Sequence, residues 1–240
     1  MRRTKALKTD RLHLILMLAL TFSTGIVDAV GYLGLDRVFT GNMTGNVVIL
    51  GMALAGGSHL PVLGPALALL FFMVGAAMAG RVLRNAAPGW SGKTSGMFLL
   101  VALGLATLAV IDVFISSPVS ELTGSIVTSG MALVMGVQAA SARRLKVTDV
   151  TTVVVTSTIT ALAAESRLAG GSGAYWQRRA LAVALILLGA LLGALTLNVG
   201  LWLGLGSSAA ITLTVVIIGH RRCQRDSQAS VMVDAVATSS

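Results

Sequence analysis

The sequence predicts an all-α membrane protein with six transmembrane helices and two polar segments that do not cross the bilayer. Of its 240 residues, 55% are hydrophobic and 11% are charged, whereas an ordinary soluble domain carries about 25% charged residues. The apolar residues also form eight stretches close to the length of about 20 residues that spans a bilayer core. These stretches are residues 12–35, 38–55, 60–80, 97–115, 122–142, 147–164, 180–199 and 201–219. A soluble all-α fold would leave these apolar faces in water, so the composition excludes it.

The positions of Lys and Arg indicate how many of the eight stretches cross. If all eight cross from a cytoplasmic N-terminus, 11 positive charges lie inside and 7 outside. If the second and sixth stretches enter and leave by the same face, 17 lie inside and only Arg37 lies outside, as the positive-inside rule expects. We therefore expect six spans in a cytoplasmic (inner) membrane with both termini in the cytoplasm. The alternative, in which both stretches are short, tilted spans, stays open.

The order of the segments predicts one transmembrane domain built as a 3+3 inverted repeat. This domain covers residues 12–219, between a basic N-terminus at residues 1–11 and a polar tail at residues 220–240 that we expect to be disordered. Its halves, about 12–115 and 122–219, match at an offset of about 112 residues, which aligns 38–46 with 150–158. Three crossings per half would invert the second half, as in many transporters and channels. Chance similarity between segments of low complexity is the alternative.

Small residues recur four positions apart in two of the predicted spans. Gly75 and Gly80 belong to such pairs in the third stretch, and Gly189 and Gly193 form one in the seventh. This spacing lets transmembrane helices approach closely. We therefore interpret these glycines as packing residues.

Asp28 is one of two acids well inside the apolar stretches, and it lies in the outer half of the first span. Insertion scales put the cost of a charged side chain there at about 2.5–3.5 kcal/mol, so it should face the bundle or water. Thr24 and Tyr32 lie one turn away on the same helix face. We expect these three side chains to line a path for solute or ions, with Asp28 gaining and losing a proton. A purely structural acid, held by Thr hydroxyls or helix N-termini, is the other interpretation.

The two polar segments supply the remaining candidate site residues. Glycines in residues 40–46 let the backbone bend, and the Asn and Thr side chains there offer donors and acceptors to a solute. Gln138 on the fifth span is an expected partner across the repeat interface. No Arg lies within a span, which disfavours strongly anionic solutes unless helix N-termini bind them. The candidates in these segments are Asn42, Thr44, Asn46, Thr152, Thr156 and Thr158.

Other chemistries find little support in the sequence. Residues 87–94 fit a relaxed phosphate-loop pattern, but that loop must join a strand to a helix, whereas here it joins two predicted spans. The three histidines lie far apart and Cys223 is the lone cysteine, so we expect no metal site and no cofactor. No nucleophile–base pair predicts an enzyme, and the scattered basic residues disfavour nucleic-acid binding.

Two sets of residues resemble the YoaK-type family of small bacterial membrane proteins. The first set is residues 25–29, 38–39, 42–46 and 50–51, and the second is residues 135–140 with Arg143, 151–152 and 156–158. The resemblance covers about residues 12–219 and implies a multi-pass inner-membrane protein, but it brings no reaction or substrate. Ala139 stands where the family commonly has Asn, and Ser157 where it has Gly, which implies a degenerate site in the second half.

These observations predict a secondary transporter or permease for an unknown small solute, coupled to protons, with its path between the two polar segments. A passive small-solute channel is one alternative. The other is a membrane protein that transports nothing and binds a partner through its spans. Besides the lipid bilayer and the solute, we expect a second copy of the chain as partner, because six spans alone would surround a solute path with only a thin layer of protein.

Overall fold

The protein is described by a computed structural model that covers residues 2–35, 37–57, 59–86, 89–114, 121–145 and 155–238, with the backbone alone for 2–10, 121 and 229–238. These residues form an all-α fold with eight α-helices and a short 3₁₀ turn at Arg167–Ala169. The helices are α1 (Arg2–Gly34), α2 (Met43–Leu54), α3 (Leu63–Leu83), α4 (Gly92–Phe114), α5 (Glu121–Arg144), α6 (Val155–Ala164), α7 (Trp176–Thr196) and α8 (Leu201–Thr238).

Six of these helices are long and apolar enough to cross a membrane. They are Arg11–Gly34 of α1, α3, α4, Leu122–Arg144 of α5, α7, and Leu201–Gln228 of α8. The other two, α2 and α6, have 12 and 10 residues. At 1.5 Å per residue they are about 18 Å and 15 Å long, well short of a bilayer core of about 30 Å. The prediction of six spans and two short segments is confirmed.

Helices α1 and α5 form the centre of the bundle. In their most apolar windows, 67% and 61% of the residues are buried, against 22% in α3 and 28% in α7. The outer helices therefore present their Leu, Ile and Val side chains to lipid. The polar residues Asp28 and Gln138 belong to the two central helices, where contact with lipid is least.

The helices pack in pairs that correspond between the two halves. α1 packs most extensively on α7, as α5 does on α3, and α4 packs on α8. α1 also contacts α8 as α5 contacts α4, and α2 contacts α3 as α6 contacts α7. Exchanging α1 with α5, α2 with α6, α3 with α7 and α4 with α8 leaves this pattern unchanged. An internal repeat would give such a pattern, and the inverted relation of the halves stays a prediction.

Glycines make the two main helix pairs possible. A Cβ atom on Gly25 would overlap the carbonyl oxygen of Ile186, and one on Gly189 would overlap that of Phe22. Across α1 and α7 these reciprocal contacts bring backbone against backbone. A side chain at either glycine would force the helices apart.

The same reciprocal contact joins α3 to α5. A Cβ atom on Gly75 would overlap the carbonyl oxygen of Leu133, and one on Gly136 would overlap that of Phe72. Neither Gly25 nor Gly136 was among the packing residues that we predicted. Both belong to the resemblance motifs, but neither was marked by the four-residue spacing that we used.

The two other predicted packing glycines differ from each other. A Cβ on Gly193 would lie 2.6 Å from the carbonyl oxygen of Ile26, so this residue lies in the α1–α7 contact. Gly80 has no described atom within 4 Å of its Cβ position. Our prediction for Gly80 is therefore corrected, because its face of α3 turns away from α5 toward the surroundings.

The polar tail also differs from the prediction. α8 continues as a helix to Thr238, whereas the sequence predicts disorder from His220 onward. Two contacts hold the first turn of the tail against α4 and the residues before it. His220 Nδ1 lies 3.2 Å from Ser95 Oγ of α4, and Cys223 Sγ lies 3.4 Å from the carbonyl oxygen of Trp90, just before α4. Tertiary contacts of this kind cannot be read from a segment without periodicity.

Candidate functional site

Asp28 holds a non-helical segment, residues 38–42, against the C-terminal half of the first span. After α1 ends, the chain reverses at Arg37, whose φ is 51°, and residues 38–42 return along the helix. Asp28 Oδ1 accepts hydrogen bonds from the backbone N–H groups of Thr40, Gly41 and Asn42 at 3.0, 2.6 and 3.4 Å. Irregular backbone at membrane depth is tolerated only where its polar groups find partners. The carboxylate provides that partner for three consecutive residues.

Two glycines allow this segment to lie so close to α1. A Cβ on Gly31 would stand 3.0 Å from the carbonyl oxygen of Val38. On Gly41 it would stand 3.2 Å from Thr24 Cγ2 and 3.3 Å from Met135 Cε. Such distances are tighter than most contacts that Cβ atoms make in proteins. The glycines therefore fit the segment between α1 and α5.

Asn46 fixes the other end of the segment through its side-chain amide. Its Oδ1 accepts the Phe39 N–H at 3.0 Å, and its Nδ2 donates to the Phe39 carbonyl oxygen at 2.6 Å. Phe39 in turn stacks on Tyr32, with ring centroids 4.6 Å apart and planes at 25°. Asn42 is the N-cap residue of α2, and its side chain accepts the Gly45 N–H at 3.4 Å. The polar motif thus builds an arm (residues 38–42) that returns along α1, a helix N-terminus and an aromatic pair.

A buried hydrogen bond links the two central helices beside this arm. Gln138 Nε2 donates to Thr24 Oγ1 at 3.0 Å, and Thr24 donates its own proton to the Leu20 carbonyl oxygen at 2.9 Å. Because that proton is used, the amide nitrogen must face Thr24. Gln138 Oε1 and Ser141 Oγ are buried and have no hydrogen-bond partner among the described residues.

A cavity of about 590 Å³ lies between the N-termini of α2 and α6. Phe72 of α3, Ile186 of α7 and Val155 of α6 also line it. Six of the predicted site residues line this cavity together: Thr24, Asp28, Tyr32, Asn42, Thr44 and Thr156. The volume falls within the roughly 300–1,000 Å³ typical of small-molecule sites.

The cavity has an unusual balance of charge and aromatic surface. Among the described residues that line it, Asp28 is the only one with a formal charge at neutral pH, and Lys, Arg and His are absent. Tyr32, Phe39 and Phe72 contribute aromatic rings. The described part of the chain has no group of three His, Cys, Asp or Glu side chains that could hold a metal ion.

Comparison with known proteins agrees with the membrane architecture. A family model described as "Protein of unknown function (DUF1275)" matches residues 16–218. This chain belongs to the DUF1275 family. It is also 31% identical over 151 residues to the "UPF0700 transmembrane protein YoaK" of Bacillus subtilis (strain 168), a match that covers 61% of this chain and 64% of the relative. The aligned part is thus just under two thirds of that relative's length. No solved structure matches the chain.

Four further site residues predicted for this DUF1275 protein do not line the cavity. Three of them lie elsewhere in the structure, and the fourth lies outside the described residues. Asn46 is wholly buried behind the wall and is bonded to Phe39, and Gln138 lies behind Thr24. Thr158 is buried on α6. Thr152 lies outside the described residues, so its prediction has no structural counterpart.

Sequence reasoning missed the aromatic and aliphatic walls of the site. Phe39 carries no polar group, and Phe72 and Ile186 look like ordinary residues of apolar spans. Phe72 and Ile186 are 114 positions apart, close to the repeat offset of about 112. The repeat could therefore have indicated that they occupy corresponding positions in the two halves. The DUF1275 match includes all of these positions.

Proposed function

We propose that this protein is a secondary transporter for a small solute, and that the cavity between α2 and α6 is its solute site. The observation that carries the proposal is that two short helices, α2 and α6, line one partly open cavity together with Asp28 of the central helix α1. In many transporters, broken or half-length helices from two repeats end at the substrate site. The cavity borders both of the polar segments that the sequence marked as non-crossing.

The corresponding helix pairs of the two halves support an alternating-access mechanism. In an inverted repeat, one conformation opens the site to one side, and exchange of the two halves' conformations opens it to the other. We place both termini in the cytoplasm of a cytoplasmic membrane, because this arrangement leaves only Arg37 outside. The arm at residues 38–42 would then enter from outside, and α6 would lie toward the cytoplasmic half.

Asp28 provides a physical means of proton coupling. As a carboxylate it accepts three backbone hydrogen bonds from the arm. Hydrogen bonds to an ionised acceptor are roughly twice as strong as those between neutral groups. Protonation would weaken all three at once and loosen the arm against α1. The protonation state of one side chain would thereby bias the position of the segment that closes the cavity.

The test is proton movement in proteoliposomes that contain the purified full chain and the pH-sensitive dye pyranine. Amines, sugars, amino acids and carboxylates are added in turn, with wild type, Asp28→Asn and Asp112→Asn compared. Asp112 is the matched control, since it is an intramembrane acid that accepts the Trp202 N–H at 2.9 Å and does not line the cavity. We expect solute-dependent proton flux in wild type and Asp112→Asn, and none in Asp28→Asn. Flux of solute without protons in wild type would reject the coupling, and flux of no solute would reject transport.

A further inference from the structure

The charge and wall chemistry of the cavity indicate the class of solute, an inference that rests on the proposed transport function. We propose that the site binds a monovalent organic cation with a small apolar body, an ammonium or guanidinium, and exchanges it for a proton on Asp28. The proposal follows from the lone carboxylate, the occupied backbone donors and the aromatic rings around one cavity.

The first argument is that no positively charged side chain among the described lining residues neutralises Asp28. Asp28 is half-buried on the cavity wall and is the one charged group among the described residues that line it. The three backbone hydrogen bonds to this carboxylate all reach Oδ1, and the Thr40 side chain also interacts with the carboxyl group. Oδ2 receives none of the three backbone bonds. A carboxylate at this depth favours either a proton or a bound cation, because no Lys, Arg or His among the described lining residues neutralises it.

The second argument concerns anions, which helix N-termini commonly bind. Here the N–H groups of Thr40, Gly41 and Asn42 already donate to Asp28, and that of Gly45 donates to the Asn42 side chain. The protein's own carboxylate thus occupies the donors that lead into α2. A second anion in the cavity would lie beside this carboxylate and be repelled by it.

The third argument concerns the body of the solute. Tyr32 and Phe39 present a stacked pair, and Asn46 fixes Phe39 by accepting its N–H and donating to its carbonyl oxygen. Phe72 of α3 also lines the cavity. Aromatic faces attract organic cations, and quaternary ammonium groups are bound in aromatic cages. The cavity of about 590 Å³ is far larger than a bare metal ion needs. Its remaining wall, with Ile49 and Ile186, suits alkyl groups.

Because the proton and the organic cation bind the same carboxylate, the charge moved in one exchange is fixed. A proton and the cation neutralise the same side chain, so each excludes the other. Exchange of one monovalent cation for one proton moves no net charge. The flux should therefore follow the pH gradient and be indifferent to membrane potential.

The experiment uses choline, tetraethylammonium, ethylammonium and guanidinium as probes, with two shape-matched controls. The controls are 3,3-dimethyl-1-butanol, the neutral isostere of choline, and the anion 3,3-dimethylbutyrate. Binding to the purified full chain is measured as the rise in the midpoint of thermal unfolding at increasing ligand concentration. We expect at least one cation to raise the midpoint of wild type at concentrations where both controls leave it unchanged.

Variants then test the residues. Asp28→Asn should abolish the rise, whereas Asp112→Asn should keep it. Tyr32→Leu should weaken cation affinity about tenfold and Tyr32→Phe should not, because the ring and not the hydroxyl attracts the cation. If Asp28→Asn does not fold, the Tyr32 pair and the isostere comparison decide the question. A rise with the neutral or anionic control equal to that with the cations, or no rise with any cation, would overturn the proposal.

Proteoliposome flux separates this inference from the proposed function. Cation flux driven by a pH gradient, and unchanged when valinomycin and potassium set the membrane potential, supports both. Gradient-driven flux of a neutral or anionic solute keeps the transporter and rejects the cation. Binding of a cation without any flux keeps the site and rejects transport.

Discussion

Asp28 Oδ1 lies 2.6 Å from the backbone nitrogen of Gly41, although the two residues are 13 positions apart and belong to a span and to a non-helical arm. Six residues of α1 separate Asp28 from the end of the helix at Gly34, about 9 Å at 1.5 Å per residue. The arm therefore returns to the depth of the acid. This one contact makes the structural and the functional interpretations of Asp28 compatible, because the group that holds the arm is also the group that can be protonated.

Removal of the Asp28 side chain should destabilise the arm. Asp28→Ala leaves three backbone N–H groups without their acceptor, of which those of Thr40 and Gly41 are in buried residues, and an unsatisfied buried donor costs about 1–3 kcal/mol. We expect the free energy of unfolding in detergent to fall by about 2–4 kcal/mol, since relaxation recovers part of the sum. Asp28→Asn retains an acceptor oxygen and should lose less. Equal stability of Asp28→Ala and wild type in a denaturant titration would show that the arm does not depend on the acid.

The close helix contacts should discriminate between two glycines of the same helix. In Gly75→Ala the new methyl group meets the backbone of Leu133, which cannot move aside as a side chain can. Overpacking of this kind costs about 1–3 kcal/mol, so the thermal midpoint should fall. Gly80→Ala is the matched control, because its Cβ position is open, and it should be neutral. A loss of stability in Gly80→Ala comparable to that in Gly75→Ala would contradict the assignment of the two helix faces.

The sequence predicted those features of the fold that depend on a single stretch of chain, and it missed those that depend on contacts between distant stretches. Hydropathy and charge mark spans one stretch at a time, so the six helices and the two short segments were predicted. The four-residue spacing of glycines marks a helix that can pack closely, but not which face meets another helix, and Gly80 was misassigned for that reason. The contact of Phe39 with Tyr32 depends on a chain reversal at Arg37. A reversal of this kind has no periodicity from which it could be predicted.

The amide of Asn46 should be irreplaceable by an acid of the same shape. Asn46 both donates to and accepts from the backbone of Phe39, whereas an ionised aspartate side chain only accepts. Asn46→Asp loses the bond to the Phe39 carbonyl oxygen and places a charge in a wholly buried position. We expect a thermal midpoint lower than in Asn42→Asp, where the side chain is exposed and acts only as an acceptor. The reverse order of midpoints would reject the role assigned to Asn46.

The last prediction concerns Thr44 and Thr156, which line one cavity from the N-terminal turns of α2 and α6. In a Cys223→Ser background, each is replaced by cysteine and treated with a membrane-impermeant thiol reagent from one side at a time. If the protein alternates access, the two positions react from opposite sides: Thr44→Cys from outside and Thr156→Cys from the cytoplasm. A bound solute that fixes one conformation should then raise the reaction rate of one cysteine and lower that of the other.

The three candidate functions differ in this experiment. A passive channel would let the reagent reach both cysteines from either side, since its path is open throughout. A membrane protein that transports nothing would give rates that no solute changes. Ser172→Cys controls for sidedness, because this residue lies between α6 and α7 and should react only from the cytoplasm whatever the cavity does. Reaction of Ser172→Cys from outside would reverse the proposed orientation, while opposed changes at Thr44→Cys and Thr156→Cys would still indicate alternating access.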